Sequence, residues 1–233
     1  GTKNRTARQI AEEMDMVGGQ LNAFTSKECT CFYAKVIDED LKLAVDILSG
    51  LALRPTFDEK ELNKERGVVL EEIAMVDDTP EDMVHELLAE AQFDGSLSMP
   101  ILGPRQHIAA YSRDDLLGYW RRHYVPRNMV VSIAGNYDWD AFLSLVNQYF
   151  DAFPNPNAEE TPDHPQTFRS GRLAREKDTE QLHICMGFEG VPSGSDELYD
   201  ISVFNNVLGG GMSSRLFQRI PRPGQCIRQG LSR

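Results

Sequence analysis

The chain is 233 residues long, enough for one full hydrophobic core or at most two small domains. Hydrophobic residues make up 41% and charged residues 26%, ordinary values for a soluble globular protein; 36 acids against 24 bases leave a net charge of −12, which argues against a nucleic-acid-binding surface. There is no apolar run of membrane-spanning length and no signal-peptide pattern.

In chain order, Thr6 is placed to cap a helix from Ala7 to Val17, with Ile10, Met14 and Val17 as its apolar stripe and Gly18-Gly19 as its stop. One long strand is predicted from Leu21 to Val36, rich in Thr, Cys, Phe and Tyr. A second helix over 39–51 turns Leu41, Ala44, Ile47, Leu48 and Leu51 inward, and Asp58 with Glu61 forms a capping box for a third. Thr79 and Pro80 restart a helix that reaches Ala91, as cap and first helical residue. Gly95, Pro100, Gly103 and Pro104 mark Phe93 to Ala110 as loop, after which Ser112 caps a helix containing Leu116, Leu117 and Trp120. Asn128 to Ala134 reads as a buried strand, Trp139 to Phe150 as a helix, and the polar, proline-rich 154–170 stretch as an interdomain linker or a loop over one domain. A strand from Leu182 to Phe188 and a helix opened by Ser195 follow; Trp120 and Trp139 are expected in the core. The irregular alternation predicts an α+β fold with a mainly antiparallel sheet and helices packed on it.

The most informative segment is the third helix, which carries Glu65 and Glu72 seven residues apart. At about 100° per residue the two carboxylates share one face, while Glu71 points elsewhere. Val69 and Ile73 supply a neighbouring stripe expected to be buried. Acids beside a buried stripe are costly unless something positive, such as a metal ion, holds them; the plain alternative is a solvated acidic face. His85 reads as an ordinary helix residue and His123 as a packed one at a helix end. Cys29 and Cys31 lie on one strand face, too awkwardly placed to pair, and their spacing is a poor zinc signature. With Cys185 and Cys226 they read as free thiols of a reducing compartment. A cytoplasmic location is favoured, with periplasmic and mitochondrial ones left open.

Five segments stand in register: Gly18-Gly19-Gln20-Leu21-Asn22-Ala23-Phe24-Thr25-Ser26-Lys27-Glu28, the helix with Glu65 and Glu72, His123-Tyr124-Val125-Pro126-Arg127-Asn128, Ala134-Gly135-Asn136, and Gly209-Gly210-Gly211-Met212-Ser213-Ser214-Arg215. In this order the chain, over residues 1–220, resembles the pitrilysin-type zinc metallopeptidases, most of all their processing-peptidase branch. That family binds zinc through His-x-x-Glu-His and a distal Glu. None of the five histidines here has that spacing, and the chain opens on Gly, so it reads as a fragment starting just after the motif. The resemblance implies that Glu72 is the distal Zn2+ ligand and that Glu65 orients the site from behind it, the one catalytic-site group besides the ligand that this chain retains. It implies that Asn22, Ala23, Phe24 and Thr25 form a strand edge that pairs with substrate backbone, and that the Gly209–Ser214 loop contributes to the substrate cavity. The fold it implies is an incomplete N-terminal-half peptidase domain over 1–220, truncated at both ends, and an atypical tail over 221–233 in which Pro221, Pro223 and Gly224 break the helix relatives continue.

The implied function is that of a zinc-dependent endopeptidase acting on peptides or presequences, its partners being the substrate and a second half-chamber domain or homologous subunit. The chain alone is expected to be inactive, because one carboxylate cannot hold catalytic zinc. The alternative is a non-catalytic partner subunit of the same family. A nucleotide-binding module is disfavoured, because a helix and not a strand precedes the glycines and no P-loop lysine follows.

Overall fold

The computed structural model describes residues 1–151 and 166–220. The fold is α+β and rich in helix, with small antiparallel sheets. It divides into two compact units, Gly1–Cys185 and Met186–Arg233.

In the first unit, helix α1 (Ala7–Met16) opens on a capping box. Thr6 Oγ1 accepts the Gln9 N–H at 3.2 Å, and Gln9 Oε1 accepts the Thr6 N–H at 2.9 Å. The helix ends where Gly18 takes a positive φ of 61°, letting the Gly19 N–H reach back to the Met14 carbonyl at 2.9 Å. The predicted long strand is instead a hairpin, β1 (Gln20–Thr25) against β2 (Thr30–Lys35), with Asn22 opposite Tyr33 and Phe24 opposite Cys31. Ser26 causes the break. Its Oγ accepts the Glu28 and Cys29 N–H groups at 3.3 and 3.1 Å, and its own N–H bonds the Cys29 carbonyl at 2.8 Å.

Helix α2 (Leu41–Leu53) carries half of the buried apolar side chains found among the described residues. Ile47, 1% exposed, packs with Ile10 and Met14 of α1, and Leu21, Ala34, Val36, Leu43 and Leu51 close around them. A polar clasp fastens the same pair of helices. Arg5 donates to Glu13 and to Asp46, both at 2.8 Å, and Asp46 raises the Arg5 pKa by accepting that hydrogen bond.

Helix α3 (Glu59–Asp78) is capped by Asp58, which accepts the Lys60 and Glu61 N–H groups at 3.0 and 3.1 Å. The reciprocal half of the expected box is absent, because the Glu61 carboxylate pairs with Lys64 at 2.7 Å. Helix α4 (Pro80–Gln92) does begin at proline, but Thr79 does not cap it: its hydroxyl donates back to the Met75 carbonyl at 2.8 Å and closes α3 instead. The predicted 93–110 loop contains β3 (Phe93–Asp94) and a short helix, α5 (Arg105–Ala110), started after Pro104.

Helix α6 (Arg113–His123) opens on a second capping box, Ser112 with Asp115. The Ser112 hydroxyl, then its backbone N–H, hold the Asp115 carboxyl below the ordinary aspartate value. That contribution is present above the ordinary value and is lost as pH falls through the lowered one. Ser112→Ala should cost about 1 kcal/mol in urea denaturation near neutral pH, and that cost should shrink at low pH, where Asp115 is protonated in both chains; an unchanged midpoint would mean that the cap is not needed.

Trp120 is half-buried, its Nε1 donating to the Ala52 carbonyl at 2.8 Å and its ring edge-on to Phe57. Trp139 is not in the core. It starts helix α7 (Trp139–Phe150) at 58% exposure, and Phe142, one turn on, is the buried residue of that helix, which packs against α2. His123 stacks on Tyr119 at 4.3 Å, as its helix-end position predicts.

The two predicted strands at 128–134 and 182–188 join no sheet among the described residues; Val130 at 92% and Ile184 at 72% stand exposed, while Met129 and Ile133 are half-buried. An apolar or alternating run fits a side chain to a sheet, but a strand also needs a neighbour for its backbone. Most of the proline-rich 154–170 stretch and all of the 221–233 tail lie outside the described residues; β4 (Thr167–Phe168), at the end of that stretch, pairs with β3.

In the second unit, helix α8 (Leu198–Gly209) starts three residues after Ser195, because the Ser195 carbonyl and hydroxyl first close a turn on Leu198 and Glu197. A glycine-rich turn leads into α9 (Arg215–Arg219), capped by the buried Ser214.

Candidate functional site

Helix α3 keeps Glu65 and Glu72 on one face, as its periodicity predicts, and both are exposed. Val68 and Met75 share that stripe and are exposed too. The stripe of Val69 and Ile73, expected to be buried, is only half-buried, and no residue of α3 is fully buried. Arg66 sets the rotation. Its guanidinium crosses to the Ile108 carbonyl at 3.2 Å and the Tyr111 carbonyl at 2.6 Å, while Arg105 reaches the Leu70 carbonyl at 3.4 Å. These bonds pin one side of α3 to α5 and leave the glutamates on another. Among the described residues neither Glu65 nor Glu72 has a hydrogen-bond or ion-pair partner. Both are solvated, so the cost of burying unpaired acids does not arise here.

Strand β1 places Asn22, Ala23, Phe24 and Thr25 in sequence, all exposed. Its one described strand neighbour is β2, so its other edge is open to pairing among the described residues. Asn22 Oδ1 accepts the Ala23 N–H at 2.8 Å, which spends one backbone donor inside the strand. Lys27, at the hairpin turn, was not singled out by sequence reasoning. Its Nζ bonds Glu86 of α4 at 3.2 Å and the Met99 carbonyl at 2.5 Å, tying the hairpin tip to the helix that packs on α3. A lone lysine in a polar turn was its only signal. No hydrogen bond or ion pair joins Asn22–Thr25 to Glu65 or Glu72 among the described residues. The Gly209–Ser214 segment belongs to the second unit, with Arg215 exposed at the start of α9.

Catalytic zinc takes three protein ligands and leaves one position open. Among the described residues no three His, Cys, Asp or Glu side chains gather closely enough to hold a metal ion. The residues present therefore do not fit catalytic zinc by themselves. They offer an unengaged carboxylate, Glu72, and a second one a full two turns away on the same face.

Residues 1–105 match the sequence model of the insulinase family, peptidase family M16, and residues 110–226 match that of the peptidase M16 inactive domain. The chain belongs to the pitrilysin-type M16 peptidase family. As an M16 member it is 46% identical over 221 residues to YmxG of Bacillus subtilis, named as an uncharacterized zinc protease, covering 94% of this chain and 54% of that protein. A Streptomyces coelicolor protein with the same description is 39% identical over 233 residues, covering 94% of this chain and 50% of its own. The chain thus spans about half the length of the curated relatives it matches. Two solved structures share the fold: a protease from Helicobacter pylori (TM-score 0.77, 19% identity, 94% of this chain and 54% of that one) and a peptidase M16 inactive domain from Pseudomonas fluorescens (TM-score 0.76, 16% identity, 94% and 54%). The M16 chain carries no His-x-x-Glu-His. No helix among the described residues is long and apolar enough to cross a membrane.

Proposed function

We propose that this M16 chain is part of a zinc-dependent metalloendopeptidase that cleaves peptides or presequences. In this reading Glu72 is the carboxylate ligand of Zn2+, Glu65 steadies it, and the open edge of β1 over Asn22–Thr25 pairs with substrate. The observation that carries it is the pair of exposed, unpartnered glutamates on one face of α3, in a chain whose relatives bear the name zinc protease. Two imidazoles and a general base from outside this sequence complete the site, and a second half-chamber domain or homologous subunit closes it over the peptide. Strand addition suits varied substrates, because main-chain bonds supply affinity and side-chain pockets supply preference.

A second reading is a non-catalytic partner subunit. It is favoured by the inactive-domain description matched over 110–226. Reading the gene ahead of the codon for Gly1 separates the two. His-x-x-Glu-His ending a few residues before Gly1 is the expected result; an in-frame start without it, or with its histidines replaced, favours the partner subunit. The purified 233-residue chain should show no cleavage of a fluorogenic peptide above background, with or without added zinc. Chelator-sensitive hydrolysis by the chain alone would overturn this assignment of ligands.

A further inference from the structure

Two side chains a hundred residues apart in sequence meet outside the α3–β1 region: Cys185 Sγ lies 3.6 Å from His85 Nδ1, a hydrogen-bond distance for sulfur. We propose that Cys185 is a thiol-modification site, activated by His85, whose reaction partners are low-molecular-weight disulfides. The proposal does not rest on the peptidase reading.

The thiol is placed by the fold. The segment leading to it is fastened to the α3–α4 corner by Arg175, which pairs with Asp77 at 3.0 Å, and by Lys177, which pairs with Asp78 at 2.9 Å. Along 182–185 exposure alternates: Leu182 and Ile184 face solvent, while His183 and Cys185 are half-buried on the other side. That alternation turns Cys185 onto α4, where His85 sits on an exposed position. Glu86, the next residue on α4, is engaged by Lys27. Cys185 is half-buried rather than enclosed and has a base at hand.

The other described cysteines lack one. Cys29 is exposed at the hairpin turn, and its sulfur is 3.4 Å from the Ser26 hydroxyl, which is too weak a base to take a thiol proton near neutral pH. Cys31 is half-buried on β2 opposite Phe24. An imidazole has its ordinary pKa close to neutrality and takes that proton readily.

The reaction balances as thiol–disulfide exchange. The Cys185 proton passes to His85 Nδ1, and the thiolate attacks one sulfur of R–S–S–R. A Cys185–S–S–R bond forms, the S–S bond of the reagent breaks, and the departing thiolate takes the proton from His85 as R–SH. No oxidant beyond the disulfide is needed.

A free thiol is only a few per cent ionised at pH 7, and the gain from fuller ionisation is partly offset by weaker nucleophilicity, so the expected advantage is about tenfold. The test uses the reduced 233-residue chain and oxidised glutathione at neutral pH, with each cysteine's rate read by peptide mass spectrometry. Cys185 should react about tenfold faster than Cys29, and His85→Asn should bring Cys185 down to the Cys29 rate while Cys29 itself is unchanged. His85 is exposed, so the substitution leaves the packing of α4 intact, and His85→Gln serves as a second variant. Equal rates at Cys185 and Cys29, or a Cys185 rate that neither variant lowers, would overturn the proposal.

Discussion

Ile47→Ala is expected to cost about 2–5 kcal/mol, the range for emptying an isoleucine-sized space in a packed core. Whole domains hold only about 5–15 kcal/mol of net stability, so this one change should leave the first unit marginal or unfolded at room temperature. Ile47 is 1% exposed and sits where α1 and α2 meet; Ile10 and Met14 touch it from one helix, and Leu43 and Leu51 close over it from its own. The cavity cannot collapse easily, because the Arg5 clasp to Glu13 and Asp46 holds the two helices at their present separation. Ile184→Ala is the matched control: the same deletion at 72% exposure should stay within about 0.5 kcal/mol. Urea denaturation followed at 222 nm reads both. A midpoint for Ile47→Ala equal to that of the parent chain would show that the α1–α2 cluster does not carry the stability of this unit.

Helices were legible because their signals are local. Thr6 with Gln9 and Ser112 lie within four residues of the N–H groups they satisfy, and the 139–150 periodicity gives α7 its observed limits. Strands were not, because pairing is decided by a partner elsewhere in the chain. The runs at 128–134 and 182–188 have strand-like side chains but join no sheet among the described residues. Inside the 21–36 run the turn was signalled only by Ser26-Lys27-Glu28, whose polarity was outweighed by the Thr, Phe and Tyr around it. Thr79 fits the composition of a cap, yet its hydroxyl had a nearer acceptor in the Met75 carbonyl. The site divides in the same way. Helix geometry alone puts Glu65 and Glu72 on one face. The bonds that orient that face, or add function away from it, join residues 42, 59 and 100 positions apart: Arg66 with Ile108, Lys27 with Glu86, and Cys185 with His85. No periodicity reports such pairs.

In a longer protein that carries this segment behind an intact His-x-x-Glu-His, Glu72→Gln is expected to abolish stoichiometric zinc and peptide cleavage. Glu65→Gln should weaken zinc affinity or activity by roughly 10–100-fold, the usual loss when a group supporting a ligand is removed, and Glu72→Gln should lose more than that. An amide keeps the size of the carboxylate and removes the charge that holds the cation. The control lies in the 233-residue chain, where both acids are exposed and unpartnered among the described residues. There the same substitutions should change stability by no more than about 0.5 kcal/mol. The contrast separates a functional acid from a structural one, because a glutamate that supports the fold would show its loss in the short chain, whereas a ligand shows it only where the metal is held. Glu71→Gln, on the same helix but turned about 100° away, should alter neither readout. Zinc measured by atomic absorption on the full-length variants decides the matter: if Glu72→Gln retains one zinc per chain and full cleavage, Glu72 is a surface acid of α3 and the ligand must be sought elsewhere.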